Sequence, residues 1–133
     1  LVRFRLEQAR ESLKATGVLT KEGLYRSAVS RSYYAMFYSV LALLASEKHE
    51  TGKHSGAISL FDKEFVRTGV FSKEFSRGLH EAFGLRQRCD YSAEFAVTEE
   101  DAKDALRRAE AFVEGVTEAL SDVVGDGTGA PDR

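Results

Sequence analysis

Tryptophan is absent from this 133-residue chain, and proline, cysteine and methionine occur once each. With proline so scarce and long stretches free of glycine, helices are favoured over a turn-rich sheet protein. The lone Cys89 has no partner for an internal disulfide, so the chain reads as a protein of the reducing cytoplasm. No apolar run reaches the roughly 18 residues of a membrane span, and no secretory signal is present. Leu1 in place of methionine is expected of a trimmed or incompletely covered N-terminus. Neither GxGxxG nor GxxxxGK[ST] occurs, which sets aside dinucleotide and P-loop chemistry. The three histidines, His49, His54 and His80, form no HExxH pattern. With one cysteine and no paired-histidine spacing, neither a metal nor a cofactor is expected. His49 and His54 flank one polar connection, where a loose surface metal contact is the lesser reading and solvent-facing or capping roles are the expectation.

What is present is the composition of a single globular domain, 43% hydrophobic and 30% charged. The net charge of −2 hides an uneven distribution. Lys48 to Arg88 holds eight Lys/Arg against five Asp/Glu, whereas Glu99 to Asp122 holds three against eight. Helices solvating their outer faces account for this better than a dedicated nucleic-acid surface, which would usually be basic overall.

Periodicity predicts five helices. The first spans Val2 to Lys14 with Val2, Leu6, Ala9 and Leu13 on one stripe, and Gly17 is its expected stop. The second runs from Glu22 to Glu47. Its Leu24, Ala28, Val29, Met36, Val40, Leu43 and Leu44 wrap more than one face, so it should be the buried central helix. Tyr33, Tyr34, Phe37 and Tyr38 cluster on it, and any buried hydroxyl there needs a partner. A third helix is expected over Ser55 to Arg67, with Ile58, Phe61 and Phe65 inward and Gly69 as the stop. Ser72 reads as the N-cap of a fourth, carrying Phe75, Leu79, Ala82 and Phe83 inward and running into Arg86 to Tyr91. Thr98-Glu99-Glu100-Asp101 opens the fifth, whose apolar positions from Ala102 to Val123 recur at three and four. The expected organisation is an all-α, up-and-down bundle over residues 1–124 with a flexible tail over 125–133.

Chemistry, if the bundle has any, belongs to Leu85-Arg86-Gln87-Arg88-Cys89-Asp90-Tyr91. Arg86 and Asp90 stand four apart and can pair on one helix face. Equally, the planar fork of Arg86 suits a phosphate, with Tyr91 beside it as a hydrogen-bonding group. Both readings stay open at this level.

Ser30-Arg31-Ser32-Tyr33-Tyr34-Ala35-Met36-Phe37-Tyr38 resembles the SRxYYAxFY signature of HEPN-domain proteins. His54-Ser55-Gly56 followed by Ile58-Ser59-Leu60-Phe61, and the Leu85 to Tyr91 run, resemble two further blocks in the same order. The resemblance covers Leu13 to Leu120 and points to the small stand-alone subfamily. It implies a helical bundle that dimerises, commonly encoded beside a minimal nucleotidyltransferase as a toxin–antitoxin pair. Many such proteins are metal-independent ribonucleases. Their site is an arginine followed four to six residues later by a histidine, duplicated across the dimer. Histidine takes the proton of a ribose 2′-hydroxyl while arginine stabilises charge on the phosphate.

This chain departs from that motif. Arg86 matches the arginine, but Tyr91, Ser92 and Ala93 stand where histidine should follow. His80 precedes Arg86 by six residues and is a weak substitute. The first expectation is therefore a dimeric module, acting with a nucleotidyltransferase and touching nucleotide or RNA through Arg31, Tyr34, His54, Arg86, Arg88 and Tyr91. The alternative is a ribonuclease in which Arg86 is assisted by Asp90, Tyr91 or a spatially neighbouring His54. A third reading is a purely structural interaction domain. In some family pairs the partner adenylylates a tyrosine just after the catalytic histidine, and Tyr91 is the nearest analogue, with packing under the fourth and fifth helices as its plain alternative.

Overall fold

The computed structural model describes residues 1–49, 51 and 53–121, and among them it is built of helices without a strand. In chain order these are α1 (Val2–Lys21), α2 (Tyr25–Ser46), α3 (His54–Phe61) continued by a π-helical turn (Asp62–Val66), α4 (Lys73–Tyr91) and α5 (Glu99–Ala119). The all-α, five-helix bundle expected from periodicity is the observed fold. The expected boundary at 124/125, the tail, and Val123 at the end of α5 lie outside the described residues.

As its wide apolar face requires, α2 is the central helix and touches each of the other four. Tyr33, Val40, Leu43 and Leu44 are fully or almost fully buried, and the buried Ser32 and Ser39 return their hydroxyls to the carbonyls of Val29 and Met36. Burying such hydroxyls unbonded would cost on the order of 1–3 kcal/mol each. A large core runs through α2, α3 and α5, and a smaller one of Ala28, Val29, Cys89 and Ala102 sits where the end of α4 meets α2 and α5.

Four local expectations are corrected. Gly17 does not stop α1, which continues to Lys21. Thr16 and Thr20 are buried on the face against α2 and bond back to the carbonyls of Ser12 and Thr16, and this packing outweighs the roughly 1 kcal/mol that a helical glycine costs. The stop is Gly23 instead, whose φ of 79° is easy only for glycine, so α2 begins at Tyr25 rather than Glu22. Leu24, expected inward, is left at the α2 N-cap and is 53% exposed. The third helix begins at His54 and ends its α-helical part at Phe61. The π-helical turn then widens the coil by one residue, and Phe65 still reaches the core.

Ser72 occupies the N-cap of α4 as expected, although its side chain makes no capping bond. Thr98 does cap α5. Its Oγ1 accepts from the Asp101 N–H at 3.1 Å, and Asp101 Oδ2 accepts from the Thr98 N–H at 2.9 Å, a reciprocal capping box.

Candidate functional site

The aromatic cluster of α2 is the floor of the site. Tyr33 is fully buried and meets Tyr34 edge-on at 5.4 Å and Phe37 in a stack at 5.9 Å. The first residue of α3, His54, lies flat on Phe37 with ring centroids 4.1 Å apart. Its Nδ1 is 2.8 Å from the Tyr33 hydroxyl, which is the partner the buried phenol requires. Burial pushes the Tyr33 phenol well above its ordinary value despite the opposing influence of Arg86, so it stays protonated. Burial and, after it, the Arg86 charge hold His54 below the ordinary histidine value. His54 is therefore a neutral imidazole at neutral pH. In the tautomer that donates from Nδ1 to the Tyr33 oxygen, Nε2 keeps a lone pair.

Arg86 enters this cluster from α4. It is 8% exposed, and its guanidinium carbon lies 5.2 Å from the Tyr33 ring centroid, 5.5 Å from Tyr34 and 5.7 Å from Phe83. Its Nη1 donates to Asp90 Oδ2 at 3.2 Å, so the i,i+4 pair expected as the structural reading is formed. Burial works against the Arg86 charge, but Asp90 and the neighbouring tyrosines outweigh it and raise the guanidinium further above its ordinary value. The Nε of Arg86 is buried without a hydrogen-bond partner. Arg31 of α2 reaches the same ring, its guanidinium carbon 4.8 Å from Tyr34, and its Nε is likewise buried and unpartnered. Two guanidinium groups thus share the Tyr34 ring, and Asp90 is the carboxylate bonded to either of them among the described residues.

Other expected residues stand apart. Arg88 is exposed and lies over Phe95 at 5.3 Å. Tyr91, at the last turn of α4, is 77% exposed, which rules out the packing of its ring under α4 and α5. His80 bonds Asp62 of the π-helical turn through Nε2 at 2.8 Å instead of joining the Arg86 cluster. A cavity of about 360 Å³ between α4 and α5, bordered by Met36, Phe75, Arg108 and Phe112, shares no residue with the Arg86 cluster.

One contributor has no signal in the sequence. Arg26, on the first turn of α2, donates to the carbonyl oxygens of Cys89 and Phe95, and to that of Ser92 at 3.3 Å. These bonds span more than sixty positions and fasten the end of α4 and the segment after it to α2. A cation there also meets the negative end of the α4 dipole.

Residues 2–119 match the HEPN domain family. A "UPF0332 protein" of Thermotoga maritima is 36% identical over 123 residues, 92% of this chain and 93% of that protein. A protein of Methanocaldococcus jannaschii named "Putative toxin MJ0605" is 36% identical over 119 residues, 90% of this chain and 88% of its own length. A second from that organism, "Putative toxin MJ0142", is 38% identical over 108 residues, 81% of this chain and 74% of that one.

Proposed function

This chain belongs to the HEPN family, and from that premise we propose that it is a nucleotide- or RNA-associated module, a homodimer acting with a minimal nucleotidyltransferase in a toxin–antitoxin pair. The observation that carries the nucleic-acid part is the double guanidinium on Tyr34. Arg31 and Arg86 bring two positive charges to one ring, and among the described residues the carboxylate of Asp90 alone is bonded to either of them. A phosphate supplies the missing negative charge, and the terminal nitrogens of the planar forks suit its oxygens. Tyr34 offers an aromatic surface at the same place, while Arg88, over Phe95 and apart from this cluster, adds only to the positive charge of α4. The toxin names of two relatives support the pairing with a neutralising partner.

Fluorescence anisotropy with a labelled single-stranded RNA tests this reading. Arg31→Ala should weaken binding about tenfold and lower its salt dependence, and equal affinity of wild type and variant would remove the RNA assignment. The partner is tested by co-purification with the adjacent nucleotidyltransferase, where absence of a complex at micromolar concentration counts against the pair.

The Tyr33-bonded His54 favours a second reading, a metal-independent ribonuclease. In it, His54 Nε2 accepts the proton of a ribose 2′-hydroxyl and the 2′-oxygen attacks phosphorus. Arg86 stabilises the charge on the phosphorane while Asp90 holds Arg86 in place. The 5′-oxygen departs with a proton from solvent or from Tyr91, leaving a 2′,3′-cyclic phosphate. Cleavage in EDTA should then be lost in both His54→Ala and Arg86→Ala, and equal cleavage by wild type and His54→Ala refutes it. Tyr91, exposed at the end of α4, is in this scheme the site the partner adenylylates. Intact-mass analysis after incubation with partner and ATP should place the added mass on Tyr91, and modification at another residue would refute that assignment.

A further inference from the structure

Three ligating side chains meet at the far end of α2. A carboxylate oxygen of Glu47, a ring nitrogen of His49 and a carboxylate oxygen of Glu64 all lie within 4.8 Å of one another. Glu47 is the C-cap of α2, and Lys48 takes the left-handed conformation at φ 62°. That residue reverses the chain and lets the His49 N–H donate back to the Leu44 carbonyl at 2.8 Å. Glu64 comes from a separate element, the π-helical turn. Among the described residues none of the three carries an ion pair with lysine or arginine. Two carboxylates are therefore held together beside an imidazole, with no lysine or arginine bonded to them among the described residues.

We propose that Glu47, His49 and Glu64 form a binding site for a first-row divalent cation of the zinc type, which clips the end of α2 to the π-helical turn. One imidazole and two carboxylates are a nitrogen–oxygen set that favours zinc over magnesium or calcium, whose sites are built from oxygen. Three protein ligands leave a fourth position for water. Tetrahedral ligands about 2.1 Å from zinc stand about 3.4 Å apart, a spacing reached by small rotations of these side chains, since Glu47 is exposed and the other two are half-exposed. His49 lies five residues before His54, so a bound ion also anchors the chain just ahead of the residue that meets Tyr33. The site stands independently of any activity at Arg86.

The test is calorimetric titration of zinc chloride into full-length protein stripped with EDTA, with folding of each variant checked by circular dichroism. Wild type should bind one equivalent per chain, and His49→Ala and Glu64→Gln should each weaken binding about tenfold or more. His80→Ala should match wild type, because His80 bonds Asp62 and is not one of the three ligands, which makes it the control for binding at another histidine–carboxylate contact. No binding up to 100-fold excess of zinc, binding that survives both ligand variants, or binding lost in His80→Ala would overturn the site.

Discussion

The Tyr33 hydroxyl stands 2.8 Å from Nδ1 of His54, joining residues 21 positions apart and holding the imidazole flat against Phe37. This bond makes the start of α3 part of the Arg86 cluster, because Tyr33 also lies beneath the Arg86 guanidinium.

The depressed His54 gives a pH prediction. Its folded-state pKa lies below the ordinary 6.5, so between those values the unfolded chain binds more protons than the folded one. The contribution of neutral His54 is therefore complete above about pH 6.5 and is lost as pH falls through the depressed folded value. Urea midpoints measured from pH 5 to 8 should decline more on acidification for wild type than for His54→Gln. Every other ionisable group is common to both proteins. Parallel curves would show that His54 is not held neutral by the fold. Tyr33→Phe should cost about 1 kcal/mol by removing the same bond.

Asp90 competes with any phosphate for Arg86. Asp90→Asn removes a negative charge and loosens a side-chain bond on that guanidinium, so RNA affinity at low salt should rise, by roughly two- to tenfold for one charge near the site. An affinity that falls in Asp90→Asn would mean that the carboxylate is needed to aim Arg86.

Two glycines of α1 and its terminus should respond in opposite directions. Gly17 lies inside the helix, and a Cβ there meets nothing within 4 Å. Gly17→Ala should stabilise by about 0.5–1 kcal/mol. Gly23 sits at φ 79°, and Gly23→Ala should destabilise by about 1 kcal/mol. Chemical denaturation of the two variants beside wild type measures both signs, and a destabilising Gly17→Ala would contradict the uninterrupted helix.

Arg26→Met keeps the apolar stem and removes the donors to Cys89, Ser92 and Phe95. Loss of about 2–3 kcal/mol is expected from charge-assisted bonds in a partly buried place. Hydrogen exchange should speed up over 89–97 while the amides of α1 keep their protection. Uniform loss across the chain would indicate global rather than local anchoring.

Much of the fold was legible because it depends on local rules. The aromatic and aliphatic positions of α2 surround the helix, which forces it to the centre, and Thr98 with Asp101 marks the start of α5 through a bond between neighbours in sequence. The Arg86–Asp90 pair was legible for the same reason, since four residues of helix bring the two side chains together. Gly17 misled because a helical stop is a weak local preference, and the buried Thr16 and Thr20 face against α2 overrode it.

By itself the sequence determined that there are five helices and that α2 is the central one, which follow from periodicity and capping, and its motif order pointed to the family. Only the tertiary structure decided that His54 closes on Tyr33, that Arg31 and Arg86 share the Tyr34 ring, that Arg26 clasps the end of α4, and that Glu47, His49 and Glu64 meet. Each of these depends on how helices far apart in sequence lie against one another, and that arrangement is set by the packing of the whole core, to which no short stretch of residues holds the key.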